Sequence, residues 1–129
     1  MNMNIPHNIG IASQIGKYSD AIEVPPNTRW LISAGTPGLM GDGTLPTDIT
    51  GQAELAWANI FSILEAADMG IKDVVKITHY LSRESDIPEY VKVRSRLIGD
   101  ARPASMLMVI PALVRPEFLI ELEIIAAKN

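Results

Sequence analysis

The sequence predicts an α+β fold, a two-layer sandwich with two helices on one face of a sheet. Three observations lead there. Two segments carry apolar residues at helical spacing, shorter segments rich in β-favouring side chains flank them, and Gly or Pro stands at most of the junctions. In chain order the elements read ββ-α-β-α-ββ, so both helices join strands that can lie in one sheet.

Ser19 to Val24 is expected as a short strand, stopped by Pro25 and Pro26, which have no amide proton to give a ladder. Trp30 to Ala34 is a second strand, ended by Gly35. Gly35 to Gly43 holds four glycines in nine residues and reads as a turning loop. A phosphate cradle is the alternative, but the loop has no Gly-Lys-Ser/Thr ending and no Gly-x-Gly-x-x-Gly order, and Pro46 follows instead of a helix start.

Thr50 to Met69 places Ala53, Trp57, Ile60, Leu64 and Ala67 on one helix face, with Gly70 where a C-terminal cap belongs. Val74 to Leu81 alternates as a strand, with Val75, Ile77, His79 and Leu81 on one side and Lys76 and Thr78 on the other. A second amphipathic helix starts at Asp86, a candidate N-cap. It presents Ile87, Tyr90, Val91, Arg94, Leu97 and Ile98 and stops at Gly99. Ala104 to Ile110, cut by Pro111, and Glu117 to Ala126 are the closing strands.

The chain has 129 residues, a net charge of -4 and no cysteine, with 47% hydrophobic and 20% charged residues. That is globular composition, and the length suits one domain spanning residues 1–129. Without thiols there is no disulfide framework, thiolate zinc site or Cys nucleophile. The uncharged apolar stretch from Pro103 to Val114 has twelve residues and two prolines, too short for a bilayer. Met1 to Gly16 has neither a basic region ahead of an apolar one nor a small-residue cleavage site, so a soluble, cytoplasmic protein is the expectation. Net acidity argues against a nucleic-acid partner. Lys92, Arg94 and Arg96 would split around a helix, more a solvated surface than a binding stripe.

The last strand is the informative one. Phe118, Ile120, Leu122, Ile124 and Ala126 share one face, which fits beneath the helices. Leu119, Glu121, Glu123, Ile125 and Ala127 share the other, with two carboxylates between apolar neighbours. An open sheet with an apolar second face must cover it, and oligomerisation is the cheap solution. A carboxylate in such a partly desolvated groove has a raised pKa and suits general acid–base work. The plainer alternative is that Glu121 and Glu123 are strand residues paired with a neighbouring Lys or Arg.

The histidines carry less. His7 lies in a polar N-terminal segment expected to be mobile, and His79, sharing a face with Val75, Ile77 and Leu81, is expected as a hydrogen-bonded core histidine rather than a base. Neither has a second ligand at metal spacing, so no metal is expected. Met106 and Met108 share one strand face and are expected to fill the core.

Taken in order, Ile15-Gly-Lys-Tyr-Ser-Asp20, Leu31-Ile-Ser-Ala-Gly35, Gly41-Asp-Gly-Thr-Leu-Pro46 leading to Gln52-Ala53, Val74-Val-Lys-Ile-Thr78, Arg102-Pro-Ala-Ser105 and Ile120-Glu-Leu-Glu-Ile-Ile125 resemble the RidA (YjgF) superfamily, also described as L-PSP endoribonucleases. The resemblance spans nearly the whole chain. It implies a chorismate-mutase-like sandwich with a mixed sheet, assembled as a homotrimer around a central β-barrel with clefts between subunits. It also implies hydrolysis of reactive enamines and imines to 2-keto acids and ammonia, with no cofactor.

Carried over residue by residue, Glu121 matches the family's glutamate, which positions water or moves a proton. Tyr18 matches its cleft tyrosine and Gly35 its strand-end glycine. The family's carboxylate-gripping arginine, two residues after a proline, has no match: Ser105 occupies that place. Arg102 substitutes only if the chain bends at Pro103, and Ala34 replaces the family's cleft serine. Substrate contacts are therefore expected from Tyr18, Gly35, Arg102 and Ser105. The resemblance leaves two readings open, a C=N hydrolase and a small-metabolite-binding protein that turns nothing over. A ribonuclease fits worst, because the sequence offers no paired histidines, no basic groove and no stacking ladder.

Overall fold

The computed structural model describes residues 3–129. Met1 and Asn2, the start of the N-terminal stretch weighed above as a leader, lie outside it. Its elements are β1 (Ile5–His7), α1 (Ala12–Ile15), β2 (Ala21–Glu23), β3 (Arg29–Ile32), β4 (Thr36–Pro37), α2 (Ile49–Ala66), β5 (Val74–Leu81), α3 (Ile87–Ile98), β6 (Ala104–Val109) and β7 (Ile120–Lys128). The main sheet runs β3-β7-β5-β6, with β4 also on β7. β7 is antiparallel to β3, β4 and β5, whereas β5 and β6 are parallel. The sheet is therefore mixed. Since β3, β4 and β5 all oppose β7, α2 is a crossover between parallel strands, as α3 is between β5 and β6.

Both helices cover one face. Trp57, Ile60 and Leu64 of α2 and Tyr90, Val93 and Ile98 of α3 pack on Ile77, Leu81, Ile120, Leu122 and Ile124, all buried. The alternation expected for the last strand holds, with Ile120, Leu122, Ile124 and Ala126 in the core and Glu121, Glu123 and Ile125 half-buried on the far side.

Several expectations are corrected. The first strand is shorter than expected: Ala21–Glu23 pairs with β1, and only Ser19 touches the main sheet, through a single bridge to Ala104 of β6. His7 is not in a free segment: it lies in β1, its Nε2 2.7 Å from Glu23 Oε1. The C-cap of α2 is Ala67, followed by Asp68 in the left-handed region at φ 56, while Gly70 is extended and precedes a 3-10 turn. The Met69 N–H reaching back to Leu64 O closes that end without a glycine. Asp86 stands at the N-cap of α3 but caps nothing, because its carboxylate is taken by Arg83 at 2.8 and 3.0 Å. Met106 and Met108 are not core: their alternation in β6 turns them to the uncovered face, 51% and 38% exposed.

Gln52 locks α2 to the sheet. Asp48 caps the helix by accepting from Gly51 N, and one turn in, the buried Gln52 donates to Pro46 O and Glu117 O and accepts from Leu119 N at 2.8 Å. Gln52→Ala would strand these buried backbone groups. A loss of about 3 kcal/mol is expected, at ~1–3 kcal/mol per orphaned group, read as a lower urea midpoint with an unchanged slope.

Candidate functional site

The carboxylate half of the site sits where β4 crosses β7. Pro37 pairs with Glu121 and Thr36 with Leu122, which brings the Gly35 backbone against the Glu121 side chain. A Cβ on Gly35 would lie 2.7 Å from Glu121 Oε1, so only glycine leaves the carboxylate its place. Glu121 and Glu123 form no ion pair among the described residues, which removes the plain salt-bridge alternative. Instead Glu123 accepts from Tyr80 Oη at 2.7 Å, and Tyr80 lies directly across from Glu121. Burial, and secondarily the negative charge of Glu123, hold the Glu121 carboxyl above the usual carboxylate range.

Tyr18 and Ser105 belong to a different cleft. A cavity of about 310 Å³ is lined by Ile15, Gly16, Tyr18, Ile87, Val91, Arg94, Ser105, Met106 and Leu107. Tyr18 is set there by the loop around it. Asp20 accepts from Ile9 N and Ala12 N at 2.8 and 2.9 Å, and the buried Ser19 docks on β6 through its N–H to Pro103 O and its hydroxyl to Arg102 O. Those backbone N–H groups, Ile9 first, hold the Asp20 carboxyl below its ordinary range. Glu121 and Gly35 are absent from this cavity's wall.

The cation of this cleft is Arg94, which the helical pattern assigned to the apolar face of α3 without a role. Every other arginine is engaged. Arg29 donates to Ala67 O, Arg83 pairs with Asp86, Arg96 with Glu54, and Arg115 lies 5.4 Å over the Phe118 ring. Arg102 does not bend into the cleft; its guanidinium donates to Gly99 O and Ala101 O, both at 2.8 Å. Arg94 has no hydrogen-bond or ion-pair partner among the described residues, and its Nη2 lies 3.8 Å from where a Gly16 Cβ would stand. Only the cavity shared by α3 and β6 reveals it.

His79 is fully buried and hydrogen-bonded, as expected, to Tyr90 Oη through Nδ1 and to Ser105 Oγ at 2.9 Å through Nε2. Burial first, then the charge of Arg94, lowers its pKa to about 3, so it stays neutral across the physiological range. No group of three or more His, Asp or Glu among the described residues gathers so as to hold a metal ion, and no helix there is long and apolar enough to cross a membrane.

Comparisons with known proteins agree with this architecture. The family described as Endoribonuclease L-PSP matches residues 11–128. A RutC family protein of Pyrococcus horikoshii is 36% identical over 118 residues, covering 89% of this chain and 90% of its own. Among solved structures, a Rid family protein of unknown function from Yersinia pestis superposes with a TM-score of 0.84 at 24% identity, over 99% and 100% of the two chains. RidA from the Antarctic bacterium Psychrobacter gives 0.71 at 30% identity over 87% and 89%. With the mixed sheet, the β4–β7 crossing and the motifs in order from Tyr18 to Glu121, these matches establish that the chain belongs to the RidA/YjgF superfamily.

Proposed function

We propose that the protein is a cytoplasmic hydrolase of small reactive imines and enamines, working without a cofactor at clefts completed between the copies of a homotrimer. The observation that carries this is Glu121, a half-buried carboxylate without an ion-pair partner, raised in pKa and pressed against the glycine backbone of Gly35. A C=N bond is electrophilic once its nitrogen is protonated, and an enamine reaches the same iminium by taking a proton on carbon. Glu121 orients water, accepts a proton as oxygen bonds to carbon, and returns it to nitrogen. The carbinolamine then collapses to a carbonyl, with ammonia leaving.

The assembly is part of the proposal, because the sheet face opposite the helices is uncovered. Trp30 and Ile32 of β3, 56% and 73% exposed, lie beside Ala127 and Ile125 of β7, and Met106 and Met108 of β6 continue the apolar surface beyond β5. A second copy buries it, and three such faces close into a barrel without free edges. The Tyr18 cleft and Glu121, separate within one chain, would then meet across subunits.

Incubation with 2-iminopropionate or 2-aminoacrylate is the test, with ammonia as the readout. No ammonia above the spontaneous rate ends the proposal for amino-acid-derived imines. Because the carboxylate form takes the proton, kcat/KM is expected to rise with pH through the elevated pKa of Glu121. Glu123→Gln removes a neighbouring negative charge and is expected to move that acid limb to lower pH; an unmoved limb assigns it to another group.

A second reading has its own observation. Ser105 stands where active relatives carry the carboxylate-gripping arginine, and Arg102 is tied to backbone carbonyls. Ligand binding without turnover, seen as a melting shift with no product, would identify a metabolite-binding member.

A further inference from the structure

The Tyr18 cleft ends on a directional chain of hydrogen bonds. Trp57 Nε1–H donates to Tyr90 Oη at 3.3 Å, in the core. The Tyr90 hydroxyl proton then needs an acceptor, and His79 Nδ1 is its remaining partner. Were Nδ1 protonated instead, two N–H groups would point at one hydroxyl whose own proton had nowhere to go, at the cost of a buried unpaired donor. His79 is therefore the Nε2–H tautomer, and Nε2–H donates to Ser105 Oγ at 2.9 Å. Ser105 Oγ has no other partner among the described residues, so its own proton is free for the cavity.

This ordering has two consequences. Ser105 is not an activated nucleophile, because the imidazole gives it a hydrogen bond and cannot take its proton. The cavity's polar wall also becomes a set of donors: the Ser105 hydroxyl and the unpaired Arg94 guanidinium, with the Tyr18 phenol beside them. The remaining lining, Ile15, Ile87, Val91, Met106 and Leu107, is apolar. Donors with a fixed positive charge at one side of an apolar chamber match an anion on an apolar body.

We infer that Arg94 and Ser105, the latter oriented through His79, Tyr90 and Trp57, form the clamp for the carboxylate of a small, largely apolar acid. The clamp thus comes from a helix and a serine rather than from an arginine on β6. The inference deepens the proposed function by naming the substrate's chemical class, but it concerns binding and needs no turnover.

Calorimetry of the assembled full-length protein with cyclohexanecarboxylate tests it, against the isosteric carboxamide and cyclohexylmethylamine. The carboxylate is expected to bind at least tenfold more tightly than either. Arg94→Gln is expected to weaken it roughly ten- to a hundredfold, Ser105→Ala by a smaller factor, and Arg94→Lys is expected to recover part of the loss. Nitrogen-15 spectra of His79 read the relay separately: Nδ1 is expected to be pyridine-like and Nε2 pyrrole-like. Equal affinity for acid and amide, or an Arg94→Gln protein of unchanged affinity and unchanged melting, overturns the clamp. An Nδ1–H tautomer overturns the role given to Ser105. Failure of ammonia release with intact carboxylate binding would count against the hydrolase alone.

Discussion

Glu121→Gln is expected to lower ammonia release from small imines by roughly 10²–10⁴-fold, the usual contribution of a positioned acid–base group, while leaving the fold unchanged. The amide keeps the shape and fits beside Gly35, but it cannot take a proton from water. Glu121 is half-buried on the far side of β7 and contributes no core packing, so its loss is read in kcat and not in melting temperature. A Glu121→Gln protein that retains parental turnover would remove the carboxylate from the reaction. Gly35→Ala is a companion variant: its Cβ would stand 2.7 Å from Glu121 Oε1 and must displace the carboxylate, so it is expected to reduce turnover through position rather than chemistry.

The second large effect lies on the uncovered face. Ile32→Asp combined with Met106→Asp is expected to convert the proposed trimer into monomers, measured by sedimentation. Burying apolar side chains of this size stabilises an interface by about 1.5–3 kcal/mol each. Every subunit would lose two of them while gaining two carboxylates that cannot be desolvated without a partner. Both positions are exposed in the single chain, so the protomer itself has no packing to lose. If the proposed clefts need two subunits, turnover disappears with the trimer. A doubly substituted protein that remains trimeric would show that the barrel is not made from this face, and a monomeric parent protein would remove the shared cleft altogether.

Much of the fold was legible along the chain. Trp57, Ile60 and Leu64 at helical spacing, and the alternation along most of β5 and β7, fix which residues of each element share a face, because a period of 3.6 or 2 is written directly in the residue order. The candidate carboxylate was legible for the same reason: Glu121 stands out by interrupting an apolar face. Of the N-terminal elements, β2 was legible inside the longer strand expected from Ser19 to Val24, whereas β1, three residues long, is too short to show a period. Met106 and Met108 were misplaced because alternation tells which residues share a face and not which face the helices cover. Arg94 was hidden in a sequence reading that counted it among the residues of an amphipathic helix.

The amino-acid order alone therefore determined the α+β class, the two helical faces, the acidic strand and the family motifs, since each depends on neighbours within a few residues. Tertiary structure decided what depends on distant segments meeting. It placed Gly35, just ahead of β4, against a β7 carboxylate and turned the Arg102 guanidinium onto nearby backbone carbonyls. It also brought residues 57, 79, 90 and 105 into one hydrogen-bonded line whose proton direction no local pattern encodes.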